Sequence, residues 1–186
     1  MATSTGHYPA FPADGYAARW TTWDGEDAEH LQLVWENEAW TATGEVGGAD
    51  VQYVIRLSPM WHVRQFLLFR DLPEPDLWLG TDGHGRWGEM NGAHRPELDG
   101  ALDVALAVTP FTHTLPIRRL DLPVGRGVEL VALAIDVETL GVTTVPRTYE
   151  RHADHTWVVR DGESMLRFDV DEHGVPGDLP GRFRRA

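Results

Sequence analysis

The feature that most constrains how this chain folds is the alternation of apolar and polar residues in short segments. Leu31, Leu33 and Trp35 share one face of an extended segment, for example. Successive side chains of a strand point to opposite faces, so this period of two predicts β-strands. The predicted strands are Arg19–Asp24, His30–Glu36, Trp40–Val46, Val51–Ser58, Val63–Phe69, Leu77–Thr81, Arg86–Met90, Leu102–Val108, Val128–Val137, Val142–Tyr149, His155–Arg160 and Met165–Val170.

Turn signals separate these segments. They include Asp82-Gly83, Asn91-Gly92 and Asp161-Gly162, which are dipeptides favoured in tight hairpin turns. Many short strands at close spacing, joined by such turns, are typical of an antiparallel sheet or barrel. The predicted fold class is therefore all-β, or at least β-dominated, with at most short helical turns.

Length and composition predict a single domain. A chain of 186 residues that is 42% hydrophobic can bury one sizeable core. We expect residues 1–17 to form a loosely ordered N-terminal arm and residues 18–186 to form one β half-barrel domain. The segment 1–15 has neither the basic start nor the apolar stretch of a secretory signal, and no apolar run approaches the roughly 20 residues of a membrane-spanning helix. A cytoplasmic location is expected.

The charge balance excludes some classes of partner. Sixteen basic and 29 acidic residues give a net charge of −13, which repels nucleic acid and anionic membrane surfaces. We expect the basic C-terminal residues Arg182, Arg184 and Arg185 to form a solvated tail. The absence of cysteine removes disulfides, thiol nucleophiles and thiolate metal sites. No cofactor or metal site is predicted, and the oligomeric state is left open.

The segment 109–120, Thr-Pro-Phe-Thr-His-Thr-Leu-Pro-Ile-Arg-Arg-Leu, has a mixture of residues that no hydrophobic core requires. Thr109 and Pro110 suit the start of a short helix. Pro116 disfavours helical geometry in the residue before it, so we expect a strand from there onward. Arg118 and Arg119 would then point to opposite sides of the sheet. The inward one would need a carboxylate, carbonyl groups or a bound anion as a partner.

Asp103 is the acid placed to meet one of these arginines. It lies on a strand face that otherwise carries only Ala101, Ala105 and Ala107. Such a face either receives a bulky element or remains open as a cavity. We therefore expect Asp103 to pair with Arg118 or Arg119, either at the mouth or floor of an apolar pocket or as a structural clasp on the connection.

The segment 109–120 also resembles the signature of a bacterial domain family described as glycolipid-binding. Relatives read close to Thr-Pro-Phe-Thr-Asn-Thr-Leu-Pro-Ile-Arg-Arg-Leu, and only His113 differs, standing where the family usually has Asn. The resemblance implies a single curved antiparallel sheet rolled into an incomplete barrel, similar to that of the periplasmic lipoprotein carriers. It also implies a lipid or glycolipid ligand.

The resemblance extends over most of the chain. Tyr53, Trp61-His-Val-Arg64, Asp82-Gly-His-Gly-Arg-Trp87 and Asp103 fit the family pattern, whereas Ala105 stands where relatives tend to have a second acid. Aromatic side chains offer flat apolar surface to an acyl chain or a sugar ring. The ligand-binding residues expected from these observations are Arg118, Arg119, Asp103, Thr112, His113, Trp61 and Trp87.

Two main functions remain open at this point, beside a third, an interaction module that uses a sheet edge. The first is a non-enzymatic protein that holds a lipid or glycolipid in a half-barrel cavity, with an arginine neutralising an anionic head group. The second is an enzyme, of hydrolase type, with His113 as general base beside Asp103. The usual Asn at the position of His113 argues against the second function, because Asn cannot exchange a proton there. No catalytic residue is assigned.

Overall fold

The computed structural model describes residues 8–71 and 73–186, and most of this part of the chain is β-strand. Its strands are β1 (Tyr16–Thr22), β2 (Ala28–Glu36), β3 (Ala39–Val46), β4 (Val51–Leu57), β5 (Val63–Phe69), β6 (Leu77–Thr81), β7 (Trp87–Glu89), β8 (Asp103–Leu106), β9 (Gly127–Ile135), β10 (Val142–Arg151), β11 (Thr156–Asp161), β12 (Ser164–Asp169) and β13 (Phe183–Arg185). The helix α1 spans Thr114–Leu120, and 3-10 helices span Pro96–Leu98 and Phe111–His113. Each strand from β1 to β12 overlaps a predicted segment, and the β-dominated class is confirmed.

The strands are divided between two sheets. Sheet A has the order β13-β1-β2-β3-β4-β5-β6-β7 and is antiparallel throughout, and sheet B has the order β12-β11-β10-β9-β8 and curls into a half-barrel. The incomplete barrel therefore belongs to the smaller sheet, and the chain does not form the single continuous sheet that was expected. The reason is that β8 does not pair with β7, the strand before it, but pairs in parallel with β9. Parallel neighbours need a long crossover connection, and residues 107–126 supply it.

The two faces of sheet B pack into two hydrophobic clusters. Val104 and Leu133 belong to a large cluster that also contains the buried residues of sheet A, and Ala105 and Ala132 belong to a second cluster. The helix α1 contributes to both, with Leu115 in the first and Ile117 in the second. The crossover is thus packed into the core of the molecule.

The second half of the segment 109–120 is helical, and the prediction of a strand there is wrong. A strand was expected from Pro116, but the chain remains helical to Leu120, and Arg118 and Arg119 are successive residues of α1. Pro116 lies in the first turn of the helix, where backbone N–H groups have no intrahelical partner, so its missing donor costs little. The helical segment begins at Phe111, one residue later than expected, with Pro110 at the N-cap position. The hydroxyl oxygen of Thr109 nevertheless accepts a hydrogen bond from the backbone N–H of Phe111 at 3.0 Å.

The first and last described segments of the chain are held against sheet A and the core. Residues 1–7 of the predicted arm lie outside the described residues, whereas Tyr8 and Phe11 are buried. At the C-terminal end β13 pairs with β1, and the guanidinium of Arg184 lies over the ring of Trp23. Arg182 and Arg184 are exposed, as expected of a solvated tail, but backbone pairing and cation–π contacts fix the segment as an ordered strand.

Candidate functional site

Two adjacent pockets lie beside the ends of β8 and β9. Pocket A has a volume of about 330 Å³ and is lined by Thr22, Asp27, Ala28, Glu29, Val46, Gly48, Ala49, Ala107, Val108, Val137, Glu138 and Phe183. Pocket B has a volume of about 640 Å³ and is lined by Ala105, Ala107, Val108, Ala134, Ile135, Asp136, Val137, Glu138, Thr139, Gly141, Thr143 and Arg147. The pockets share Ala107, Val108, Val137 and Glu138, so they are neighbours at the ends of β8 and β9.

Small side chains on β8 and β9 provide part of the space in pocket B. Ala105 pairs with Ala134 across the parallel strands, and both line the pocket. At the other end of this face, Asp103 lies opposite Ala132, and α1 covers them with Ile117 and Arg119. Both outcomes considered for the alanine-rich face are therefore found, since one end receives the helix and the other remains open.

Pocket A contains a buried carboxylate in an unusual environment. The Oε1 atom of Glu29 accepts hydrogen bonds from the hydroxyl groups of Tyr53, at 2.6 Å, and Thr109, at 2.5 Å. The Oε2 atom is buried and has no hydrogen-bond partner. Burial raises the pKa of Glu29 to about 7, although both hydroxyl groups act in the opposite direction. Glu29 therefore titrates near neutral pH and retains an unused acceptor.

Asp103 and Arg119 form a buried ion pair. Arg119 donates from Nε to Asp103 Oδ1 at 3.2 Å and from Nη2 to Oδ2. Burial raises the pKa of Asp103, and the Arg119 guanidinium opposes that effect. Arg119 is thus the arginine that meets Asp103, and the pair ties α1 to the start of β8. Neither residue lines pocket A or pocket B.

Arg118 does not pair with Asp103 and contacts the N-terminal segment at Pro9 and Phe11 instead. Its guanidinium lies 4.6 Å from the ring centroid of Phe11 and 4.7 Å from that of Trp61. It donates hydrogen bonds to the carbonyl oxygens of His173 and Pro9. Burial lowers the pKa of Arg118 to about 10. Carbonyl groups and aromatic faces therefore provide partners for the terminal nitrogens and the planar face of the guanidinium, whereas Nε is buried without a hydrogen bond.

His113 lies at the end of the second 3-10 helix and is buried against Tyr149 and Phe168 of sheet B. Its Nδ1 atom is hydrogen-bonded to the hydroxyl of Tyr149 at 2.8 Å, and burial lowers the pKa of His113 to about 3. An imidazole with so low a pKa is a weak base at neutral pH, which does not favour general-base catalysis. The neighbouring Thr112 is buried, and its hydroxyl accepts a long hydrogen bond of 3.4 Å from the backbone N–H of Leu106.

The sequence and the fold were compared with those of known proteins. A family model described as "Putative glycolipid-binding" matches residues 17–185. The chain belongs to this family. Among solved structures, a DUF1089 family protein from Pseudomonas aeruginosa is similar over 96% of this chain and 95% of its own, with 27% sequence identity and a TM-score of 0.69. No curated protein matches the chain.

The glycolipid-binding family signature serves largely as the crossover in this fold. Trp61 and Trp87, which lie in other parts of the family pattern, are each only 1% exposed, and neither lines pocket A or B. Trp61 packs against Arg118, and Trp87 donates a hydrogen bond from Nε1 to the carbonyl of Ala101 at 2.8 Å. Ligand contact by any of the seven residues selected from the sequence stays a prediction.

Sequence reasoning missed Glu29, although a signal was present. Glu29 shares a strand face with Leu31 and Leu33, so an acid occupies a position where the alternation calls for an apolar residue. The strand was predicted to begin at His30, one residue after Glu29, which left Glu29 outside it.

Within the described part of the chain, no cluster of three or more His, Asp or Glu side chains is arranged to hold a metal ion. None of the described helices has the length and apolar character needed to cross a membrane.

Proposed function

We propose that this protein is a non-enzymatic carrier that holds a lipid or glycolipid in the groove formed by pockets A and B. The observation that carries the proposal is the adjacency of the two pockets, which share Ala107 and Val108 at the end of a strand face built from small residues. Membership of a family described as glycolipid-binding supports it.

Apolar walls supply the affinity in this proposal. Burial of apolar surface contributes roughly 25 cal/mol per Å², so an acyl chain that buries about 200 Å² of its surface gains on the order of 5 kcal/mol before the costs of association. Val46, Val108, Val137 and Phe183 provide such surface in pocket A. Arg147 lines pocket B and is the cation available there to an anionic head group, although it also pairs with Asp161.

The test is native mass spectrometry of the purified protein, combined with lipid analysis of its solvent extract. We expect a discrete lipid adduct on the natural protein. Ala107 is exposed and lines both pockets, so Ala107→Trp fills the groove with little effect on the core and should abolish the adduct. Ala153→Trp is the matched control, because Ala153 is exposed and lies outside both pockets. An unliganded mass for the natural protein, or an adduct that survives Ala107→Trp, would contradict the proposal.

The role of the buried ion pair can be separated from ligand binding. Removing one partner of a buried pair leaves an unpaired charge, so we expect Asp103→Ala to lower the free energy of unfolding by roughly 3–5 kcal/mol. Because Asp103 does not line the groove, the lipid adduct of the folded fraction should persist. Urea unfolding and native mass spectrometry on the same preparation measure the two effects. A loss of adduct with unchanged stability would instead make Asp103 a ligand-binding residue.

A further inference from the structure

The unpaired oxygen of Glu29 requires an explanation. Glu29 is only 2% exposed, and its Oε2 atom has no partner while Oε1 receives two hydrogen bonds. A buried polar atom without a hydrogen bond costs roughly 1–3 kcal/mol, and more when the group is charged. Glu29 also lines pocket A, whose other walls are largely apolar. The protein itself therefore leaves one acceptor of this carboxylate unused beside an apolar pocket.

The charges around pocket A restrict what that ligand can be. Asp27 and Glu138 line the same pocket and are exposed, and no Arg or His is found among the described residues that line it. The hydroxyl groups facing Glu29 come from Tyr53 on β4 and from Thr109 at the start of the crossover. Burial and the nearby Glu29 carboxylate raise the pKa of Tyr53 well above its ordinary value. The pocket is therefore acidic, which opposes an anionic group and favours a cation.

We infer that pocket A binds the protonated amino group of an amphiphilic ligand, with the Oε2 atom of Glu29 as its hydrogen-bond acceptor. The inference rests on the proposed function, because the apolar part of the ligand occupies the groove. An ammonium group has three donors, of which one satisfies Glu29 and the others face the exposed carboxylates of Asp27 and Glu138. A hydrogen bond between an ammonium group and a carboxylate is stronger than one between neutral groups.

Affinity for the amine should depend on pH in a definite direction. The pKa of Glu29 lies near 7 in the free protein, so the carboxylate becomes neutral as the pH falls through that value. A protonated amine gains from the charged form only, and its affinity should weaken on acidification. Binding of a neutral alcohol with the same chain should depend much less on pH.

The experiment compares three probes that share one chain: decylamine, 1-decanol and decanoate. Titration calorimetry at about 0.15 M salt, where the Debye length is about 8 Å, limits unspecific attraction by the acidic surface. We expect decylamine to bind most tightly and decanoate most weakly. Glu29→Gln is isosteric, and it should weaken decylamine binding roughly tenfold to a hundredfold while leaving 1-decanol unchanged. The matched control is Glu26→Gln, because Glu26 is exposed and lies outside pocket A.

The outcomes separate the inference from the proposed function. If decylamine and 1-decanol bind equally, or if Glu29→Gln and Glu26→Gln have the same effect, the inference is wrong and the apolar carrier stands. If none of the probes binds, the inference and the groove as a lipid site fail together. Should Glu29→Gln not fold, the natural protein decides the question, since a decylamine affinity that is independent of pH around 7 overturns the inference.

Discussion

Two buried side chains give this protein opposing responses to acid. Glu29 has its pKa raised from 4.5 to about 7 in the folded state, so between these values the folded protein holds a proton that the unfolded chain does not. His113 has its pKa lowered from 6.5 to about 3, so over that range the unfolded chain holds the extra proton. Acidification therefore stabilises the fold through Glu29 and destabilises it through His113, by up to about 1.4 kcal/mol per pH unit each.

Replacing His113 should expose the contribution of Glu29. As the pH decreases from about 7.5 to about 5, His113→Asn should gain stability relative to the natural protein, because the unfolded variant takes up no proton at this position. Asn also retains a side-chain group that can reach Tyr149. Urea unfolding across this pH range measures the difference. The exposed His84→Asn is the control, and a constant difference between His113→Asn and the natural protein would contradict the burial of a neutral imidazole.

For single residues, the sequence predicts which types of side chain will pair better than it predicts which particular residue lies at the contact. Asp103 was recognised as the acid that meets an arginine, because a single acid on a face of alanines needs a cation. The choice between Arg118 and Arg119 depended on whether α1 is a helix or a strand, which is decided by tertiary packing. Glu29 was missed because its two hydroxyl partners, Tyr53 and Thr109, are distant in the sequence.

At the scale of the element, the strands were predictable and the helix was not. Alternation is a local pattern, so the sequence places β2 to β6 within about two residues. The helix α1 is only seven residues long and is nearly all buried, so it has no polar face that would reveal its period. Its stability comes from packing against both hydrophobic clusters. Likewise, the three residues of β13 are too few to show a period of two in the sequence. They form a strand because they pair with the free edge of β1.

The pairing of β3 with β4 depends on a glycine. Gly44 lies opposite Tyr53, and a Cβ atom at this position would approach the Tyr53 ring to 2.1 Å. The ring is fully buried and held by Glu29 and Thr109, so it cannot move without losing those hydrogen bonds. We expect Gly44→Ala to lower the free energy of unfolding by roughly 1–3 kcal/mol.

Gly80 provides the comparison for this substitution. It lies in β6, and the nearest atom that a Cβ at this position would meet is the carbonyl oxygen of Arg64, at 3.9 Å. Chemical or thermal unfolding of Gly80→Ala should therefore show little change. Equal losses for Gly44→Ala and Gly80→Ala would mean that backbone conformation, and not the Tyr53 ring, sets the requirement for glycine.

At the scale of the whole molecule, local patterns establish the class of fold and leave the number of sheets undecided. Hairpin turns link neighbouring strands of sheet A, and those turns are visible in the sequence. The parallel pairing of β8 with β9 joins strands separated by the whole crossover, and nothing local encodes it. The position of the groove follows from this pairing, which explains why the pockets could not be located beforehand.

The net charge of −13 also acts on the molecule as a whole. Self-repulsion should outweigh the exposed ion pairs, which contribute little individually. We therefore expect the thermal midpoint near pH 7 to rise by about 2–4 °C between about 0.02 and 0.3 M NaCl, a change that corresponds to about 1 kcal/mol in a domain of this size. The same salt series near the pI of about 5.0 is the control and should show little change. A midpoint that falls with salt at neutral pH would show that attractive pairs dominate.

The pairing of β1 with β13 has a consequence for the order in which the molecule is completed. Strands β1 to β7 follow one another in the chain, whereas β13, which covers the outer edge of β1, is synthesised after β12. Until residues 183–185 arrive, that edge presents unpaired backbone groups to any other extended chain. Nascent copies of this protein are therefore prone to associate with one another along β1 before residues 183–185 have been synthesised.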